Sequence, residues 1–310
     1  MAKLFIDGAA GTTGLGIRER LANRRDLTPI TLDDAQRKDP RARREALNEA
    51  DVVLLCLPDD AAREAVSLIE NPNTRVIDAS TAHRTAPGWT YGFPEMEKGQ
   101  RAAIAKAKRV ANVGCYATGF IALVRPLVRA GIIPADWPVT SNAVSGYSGG
   151  GKSMIAEFES ETKTVACTYA LTVDHKHVEE MRVHSLLSHR PLFEPTVARY
   201  YAGMIVDVPL QLWALPKKPK PADIHAALDE AYRGEAFVTV ASAAEAAELK
   251  TLDAEMLTGT NKMKLFVFAN EAQGQARAVA VLDNLGKGAS GAAVQNLNIM
   301  TGAQETLGLA

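Results

Sequence analysis

Residues 52–57, Val-Val-Leu-Leu-Cys-Leu, form an unbroken apolar run of strand length. A strand with one face in water alternates apolar and polar residues, so a run without a polar break predicts a strand covered on both faces. The sequence around it repeats one unit. Lys3 to Ile6, Leu27 to Leu32, Asp51 to Leu57 and Thr74 to Ala79 read as strands. Helical patterns fall between them, at about Thr13 to Asn23, at Arg41 to Asn48, and from Pro58-Asp59 to Ile69, where proline and an acid suit a helix start. Such βα units predict an α/β fold with a doubly wound parallel sheet, whose ligands sit at the carboxyl ends of the strands.

Between the first strand and the first helix stands Gly8-Ala-Ala-Gly11-Thr12-Thr13-Gly14. Glycines there permit a tight turn and a close approach of backbone to a pyrophosphate, and the free N–H groups of the helix start bind it. The spacing G-x-x-G-x-x-G departs from the usual G-x-G-x-x-G, so the strand-loop-helix setting carries the reading of a dinucleotide loop. Asp33 and Asp34 end the second strand, where an acid would bind a ribose 2′-hydroxyl. Arg37 and Lys38 follow, and could neutralise a 2′-phosphate. The spacing leaves NAD and NADP both open.

From about residue 117 the texture changes to a second, α+β domain. A helix runs through Leu127, kinked or broken at Pro126. Val139 to Val144, Val197 to Val208, Met263 to Ala269 and Ala276 to Asp283 read as strands. Ser153 to Glu161, Ala222 to Tyr232, Ala241 to Lys250 and Gly286 to Thr301 read as helices, the last returning to the first domain.

Asn112-Val-Gly-Cys115-Tyr-Ala-Thr118 places a cysteine on a glycine turn after a short apolar run and before the long apolar helix. Helix-start N–H groups and the helix dipole favour the thiolate, which is a nucleophile's setting; a small buried core residue is the alternative. His175 and His177 are its candidate acid-base partners. They would share a face only in extended chain, and a lone histidine pair is a weak metal signal, so no metal is expected. His184, His189 and His225 read as surface or satisfied groups.

Gly146-Tyr-Ser-Gly-Gly-Gly151-Lys152-Ser153 matches the phosphate-loop pattern G-x-x-x-x-G-K-[ST] and so admits a triphosphatase using residues 146–153. No strand ending in a magnesium-binding aspartate follows, and an anion nest for a small phosphate or carboxylate is the plainer reading. Arg84, in Asp78-Ala-Ser-Thr-Ala-His83-Arg84, is a candidate carboxylate clamp or else a surface ion pair. Glu95, in Tyr91-Gly-Phe-Pro-Glu95, is a helix cap or orients a neighbouring group.

A chain of 310 residues with 47% hydrophobic and 23% charged residues can bury a large core in two domains. A formal net charge of −1 argues against nucleic acid or an acidic membrane as the main partner, and leaves small anionic substrates open. The three cysteines lack C-x-x-C spacing, the start Met1-Ala2-Lys3 lacks a signal-peptide pattern, and no uncharged stretch reaches membrane length. A cytoplasmic protein is the expectation.

Taken together, GAAGTTG at 8–14, DASTAHR at 78–84, YGFPE at 91–95, NVGCYAT at 112–118, SGYSGGGK at 145–152, DHKH at 174–177 and DNLGKGASGAAVQN at 283–296 are specific. They resemble the shorter form of the N-acetyl-gamma-glutamyl-phosphate reductases, within the semialdehyde dehydrogenase superfamily, over nearly the whole chain. The resemblance implies an NADP-binding Rossmann domain over 1–116, completed by 285–310, and a catalytic and oligomerisation domain over 117–284. It implies NADPH-dependent reduction of an acyl phosphate, with inorganic phosphate released, through a thioester on Cys115 with His175 or His177 as base. It further implies a homo-oligomer, dimer or tetramer. Gly8, Gly11, Thr12, Thr13 and Gly14 match the cofactor loop, Asn284 and Gly286 lie in the segment matching residues near the nicotinamide, and Ser148 and Gly149 lie in a loop neighbouring the active site. With Arg37 and Lys38 these are the cofactor candidates. Arg84, Asn112, Ser145 and Gly146 are the substrate candidates. The long form usually writes His-Arg-His-Thr-Pro-Glu where this chain has His-Lys-His-Val-Glu-Glu, and His175 is favoured over His177. A different acyl-phosphate reductase, such as aspartate semialdehyde dehydrogenase, is the nearest alternative.

Overall fold

The computed structural model describes residues 1–160 and 164–310, which divide into two compact units. Unit 1 comprises Met1–Pro94, Lys98–Val113 and Ala289–Leu309. Unit 2 comprises Glu95–Glu97, Gly114–Gly288 and Ala310.

Unit 1 contains β1 (Ala2–Asp7), α1 (Thr12–Leu21), β2 (Leu27–Ile30), α2 (Pro40–Glu49), β3 (Val52–Leu55), α3 (Asp59–Ser67), β4 (Arg75–Asp78), β5 (Thr90–Gly92), α4 (Gln100–Lys106) and β6 (Arg109–Asn112). Its strands make a six-stranded parallel sheet in the order β2-β1-β3-β4-β6-β5. The apolar run that opened the sequence reading is β3, and its side chains divide by parity. Val52 and Leu54 pack on one face with Ile17, Val294 and Leu297, while Val53 and Leu55 pack on the other with Leu47, Ala62 and Ala65. Both faces are dry, which is why no polar residue interrupts the run. The helix supplying Val294 and Leu297 is the last of the chain, Gly291–Thr301, which belongs to unit 1. Strand order reverses beside β1, so the glycine loop leaving β1 stands at the switch point of the sheet.

Unit 2 starts with α5 (Cys115–Arg129) and continues through β7 (Thr140–Gly146), α6 (Gly151–Glu159), β8 (Ala166–Thr168), α7 (Val178–His184), β9 (Leu192–Ala198) and β10 (Met204–Gln211). It ends with α8 (Pro221–Tyr232), β11 (Val238–Val240), α9 (Ala243–Glu248), β12 (Met263–Asn270) and β13 (Gln275–Leu282), and the C-terminal helix of unit 1 is then α10. The sheet is mixed and seven-stranded, in the order β11-β12-β13-β10-β7-β9-β8. Strands β7 and β9 pair in parallel, and β10 pairs antiparallel with both β7 and β13.

Three local expectations change. Val197 to Val208 is not one strand: β9 ends at Ala198 and β10 begins at Met204, with a turn between. Gly203 turns the chain at φ +109°, and a β-carbon there would lie 2.4 Å from the Ala254 carbonyl oxygen. The helix expected over Ser153 to Glu161 spans Gly151–Glu159, and Glu161 lies outside the described residues. Pro126 does not end α5, which continues to Arg129. Proline has no N–H to offer the carbonyl four residues earlier, here that of Ala122. The buried Tyr232 hydroxyl of α8 donates to that oxygen at 2.9 Å, so the group orphaned by proline is satisfied from another helix.

Tyr232→Phe should therefore destabilise the fold by about 1–3 kcal/mol, the cost of leaving a buried carbonyl unsatisfied. Pro126→Ala in the same chain, which restores a helical N–H to Ala122, should recover part of that loss. Urea unfolding of the two variants checks this, and a Tyr232→Phe protein as stable as wild type would contradict it.

Candidate active site

In unit 1 the glycine loop is shaped by contacts that exclude side chains. A β-carbon on Gly8, at φ +86°, would fall 2.3 Å from the Cys56 carbonyl oxygen, and one on Gly14 would fall 2.6 Å from the Gly8 oxygen. Helix α1 begins with Gly11 as its N-cap and has no side chain capping its first turn, which suits an anion bound by N–H groups at Thr12, Thr13 and Gly14. A cavity of about 280 Å³ adjoins this loop, lined by Gly8, Ala9 and Ala10, by the end of β2, and by Arg18, Arg37 and Arg43.

The acids at the end of β2 take other work. Asp33 accepts the N–H groups of Ala35 (2.9 Å) and Gln36 (2.8 Å), capping the turn that follows, while Asp34 pairs with Arg37 at 3.1 Å on the surface. Neither aspartate lines the cavity. Arg43 does, held by Asp7 at 2.7 Å. Lys38 is exposed on the turn and lies outside the cavity wall. The one carboxylate in the wall, Asp7, is engaged with Arg43, and the guanidinium groups of Arg18 and Arg37 line the cavity beside it. The residues fit a dinucleotide carrying an added 2′-phosphate.

Arg84 and Asn112 also belong to unit 1. Arg84 is buried, so it is not a surface ion pair. Its Nε donates to the Asn112 carbonyl at 3.0 Å and one terminal nitrogen donates to that of Ala79 at 3.1 Å, which engages the fork with the backbone ends of β4 and β6. Asn112 donates to the Ala289 carbonyl (2.9 Å) and accepts from Asn296 of α10 (3.0 Å). Arg84 thus ties the ends of β4 and β6 together, and Asn112 ties β6 to the C-terminal segment. His83, in the same motif, pairs with the buried Asp78 at 2.6 Å and stacks on Trp89.

In unit 2 the chemistry gathers at the start of α5. Cys115 is the first helical residue and Gly114 is the N-cap; the first i→i−4 bond runs from Thr118 N–H to the Gly114 carbonyl at 2.8 Å. The N–H groups of Cys115, Tyr116 and Ala117 thus precede the helical ladder. Glu180, buried on α7, accepts the Gly114 N–H at 2.8 Å. A β-carbon on Gly288 would stand 2.7 Å from Cys115 Cβ, so backbone alone fits beside the sulfur's side chain.

Aromatic rings enclose His175. Phe193, Tyr169 and Tyr116 have centroids 5.2, 5.6 and 5.8 Å from its ring, and His177 lies 4.8 Å away, nearly perpendicular. The His177 backbone N–H donates to His175 Nδ1 at 3.1 Å, which places the proton of the neutral ring on Nε2. That nitrogen stands 3.4 Å from the Tyr169 hydroxyl. Burial drives both Tyr116 and Tyr169 well above the usual phenol range, and the charge of Cys115 adds to each shift, so the sulfur lies near both rings. His177 is the N-cap of α7.

The loop after β7 completes the group. Ser145 Oγ donates to the Gly146 carbonyl at 3.0 Å, and Asn284 donates to Ser148 Oγ at 2.9 Å while accepting the Gly203 N–H at 2.8 Å. Gly149 packs against the Asn284 amide, and Gly286 against the Thr260 carbonyl. Among the cofactor candidates, Ser148, Gly149, Asn284 and Gly286 thus lie in unit 2, while Gly8 to Gly14 and Arg37 lie in unit 1. The phosphate-loop match does not form a phosphate cradle. The N–H groups of Gly146, Tyr147 and Ser148 donate to the carbonyls of Gly203, Tyr200 and Tyr201, each at 3.0 Å, and Lys152 and Ser153 are exposed. Sequence reasoning passed over Glu180, Tyr116 and Tyr169. Glu180 had one visible signal, its place in the first turn of a helix that opens at His177.

Residues 4–107 match the family described as semialdehyde dehydrogenase, NAD binding domain, and residues 115–284 match semialdehyde dehydrogenase, dimerisation domain. The chain belongs to the semialdehyde dehydrogenase family. Within that family, a protein of Brucella anthropi named N-acetyl-gamma-glutamyl-phosphate reductase is 55% identical over 306 residues, spanning 97% of this chain and 98% of the relative. One of the same name from a Chelativorans species is 54% identical over 303 residues, spanning 96% and 98%. The resemblance read from the motifs therefore holds. Solved aspartate semialdehyde dehydrogenases from Francisella tularensis (TM-score 0.72, 14% identity, 97% of this chain and 100% of that one) and Vibrio cholerae (0.69, 13%, 97% and 98%) share the family fold.

Burial, then the charges of Asp78 and Asp7, pushes the Cys56 thiol up to about 12. At pH 8 its thiolate fraction is then about one in ten thousand. Iodoacetamide at that pH should label Cys115 and leave Cys56 unmodified, as read by peptide mass mapping. Labelling of Cys56 as fast as Cys115 would contradict the assignment.

Proposed function

We propose that this protein reduces N-acetyl-L-glutamyl 5-phosphate to N-acetyl-L-glutamate 5-semialdehyde with NADPH, releasing inorganic phosphate, a step of arginine biosynthesis. The observation that carries the reading is Cys115 at the first turn of α5, walled by Gly288 and grouped with His175 and two tyrosines, in a chain 55% identical to reductases of that name. Cys115 sulfur attacks the acyl carbonyl and the carbon–oxygen bond to phosphate breaks, leaving a thioester on Cys115. The N–H groups at the start of α5 face charge that develops on the carbonyl oxygen, an interaction worth about 3 kcal/mol per donor in such sites. When bound, NADPH supplies the hydride that reduces the acyl carbon. His175, held with its proton on Nε2, hydrogen-bonds the oxyanion left by hydride addition, and collapse of that oxyanion to the aldehyde breaks the carbon–sulfur bond, so Cys115 leaves as thiolate. Glu180 keeps the Gly114 turn in place through the step.

The nicotinamide nucleotide is NADPH because Arg18 and Arg37 line the unit 1 cavity while Asp33 is turned away as a cap. The protein works as a homo-oligomer, dimer or tetramer, in keeping with the dimerisation domain matched by residues 115–284. Cys56, Cys115 and Cys167 are not joined in disulfides, which suits a reducing cytoplasm. No helix among the described residues is long and apolar enough to cross a membrane.

The test is phosphate-dependent reduction of NADP by N-acetylglutamate semialdehyde, followed by nicotinamide absorbance. Turnover is expected with this substrate and not with aspartate semialdehyde; the opposite preference would favour the aspartate enzyme. Cys115→Ala should lower turnover by at least about a thousandfold while NADPH still binds. Arg18→Ala and Arg37→Ala should each weaken NADPH by about tenfold and leave NADH nearly unchanged, as measured by nucleotide titration. Equal losses for both nucleotides would remove the 2′-phosphate argument.

A further inference from the structure

The segment that follows β13 is tied down at its polar positions. Asp283 accepts the N–H groups of Leu285 and Gly259, both at 2.8 Å, and Asn284 bridges Gly203 and Ser148. The chain then makes one turn of π-helix over Gly286–Ser290, an uncommon geometry that recurs at functional sites. Lys287 of this turn donates from Nζ to both carboxylate oxygens of Glu95, each at 2.8 Å, and lies 5.6 Å from the centre of the Phe237 ring. The side chains are 1% and 0% exposed.

A pair so deeply buried is a poor source of stability. Removing both charges from water is costly, and apolar residues of similar volume at such positions are commonly as stable or more so. What the pair does specify is the course of the backbone at the next residue. That residue is Gly288, whose α-carbon admits no side chain without colliding with Cys115 Cβ.

We propose that the Lys287–Glu95 ion pair is a positioning device for Cys115, fixing the turn at Gly288 that holds the sulfur's side chain in one place at the start of α5. It rests on Cys115 being the nucleophile. Lys287 and Glu95 are positioning residues, acting through the Gly288 backbone on the rate at which the sulfur meets an electrophile.

The experiment replaces the charges and keeps the volume. In the Lys287→Met/Glu95→Met protein the melting midpoint should equal or exceed that of wild type. The second-order rate of Cys115 alkylation by iodoacetamide, followed across pH without substrate, should fall at least tenfold, and kcat should fall by tenfold to about a hundredfold with KM little changed. A folded double variant that alkylates and turns over at wild-type rates overturns the proposal. If the double variant does not fold, Glu95→Asp is read instead, which keeps both charges and withdraws the carboxylate by one methylene. Slower alkylation of a folded Glu95→Asp protein supports the proposal, and an unchanged rate overturns it. Alkylation is measured without acyl phosphate or nucleotide, so failure of the reductase reading would appear separately, as wild-type protein whose Cys115 reacts normally but which turns over no substrate.

Discussion

The first turn of α5 is where a sulfur, a set of backbone donors and a buried carboxylate have to coexist. Cys115 must sit at the helix start to use the N–H groups that precede the helical ladder. That demand fixes its neighbours. Gly114 must be a residue whose N–H can reach Glu180, and Gly288 must lack a side chain. The end of β7 and the loop after it give their N–H groups at Gly146, Tyr147 and Ser148 to the turn at Tyr200 to Gly203, which leaves the Ser148 hydroxyl to accept from Asn284. Loops of this kind carry many polar groups, and each must be satisfied because water is excluded.

The sheet of unit 1 was the most legible part of the chain. β3 shows why: its apolar run is a local consequence of burial on both faces, and the glycine loop is a local consequence of the Cys56 carbonyl passing close to Gly8. The cysteine at the start of α5 was legible for the same reason, because a glycine before a cysteine at a helix start is local sequence. Features that depend on partners distant in sequence were not. The break between β9 and β10 is made by Gly203, whose role needs Ala254 and Asn284 to be seen. Pro126 reads as a helix breaker unless Tyr232 is known to supply the missing donor. Arg84 reads as a clamp until the carbonyls of Ala79 and Asn112 are found on its fork.

The phosphate-loop match shows the same limit from the other side. A short pattern fixes residue types but not the direction of N–H groups, and a cradle for phosphate is made of N–H groups that point outward together. Here three consecutive ones are spent on carbonyls across the loop. The pattern at Gly8 to Gly14 fits the usual fingerprint less well, yet its helix start is uncapped and its glycines are forced by contact. Hydrogen-bond accounting separates the two loops where letters do not.

That accounting also bears on how the thiolate is held. A helix start favours an anion by up to about 2 kcal/mol, roughly one and a half pKa units for a thiol. Glu180 draws on the same terminus, since its carboxylate takes the Gly114 N–H at 2.8 Å. His175 and His177 are grouped around Tyr116, the residue that follows the cysteine. His175 Nδ1 accepts the His177 N–H, so the neutral ring carries its proton on Nε2 and offers a donor there. Under the proposed reaction His175 would serve Cys115 as a hydrogen-bond donor, while Glu180 holds the turn at Gly114.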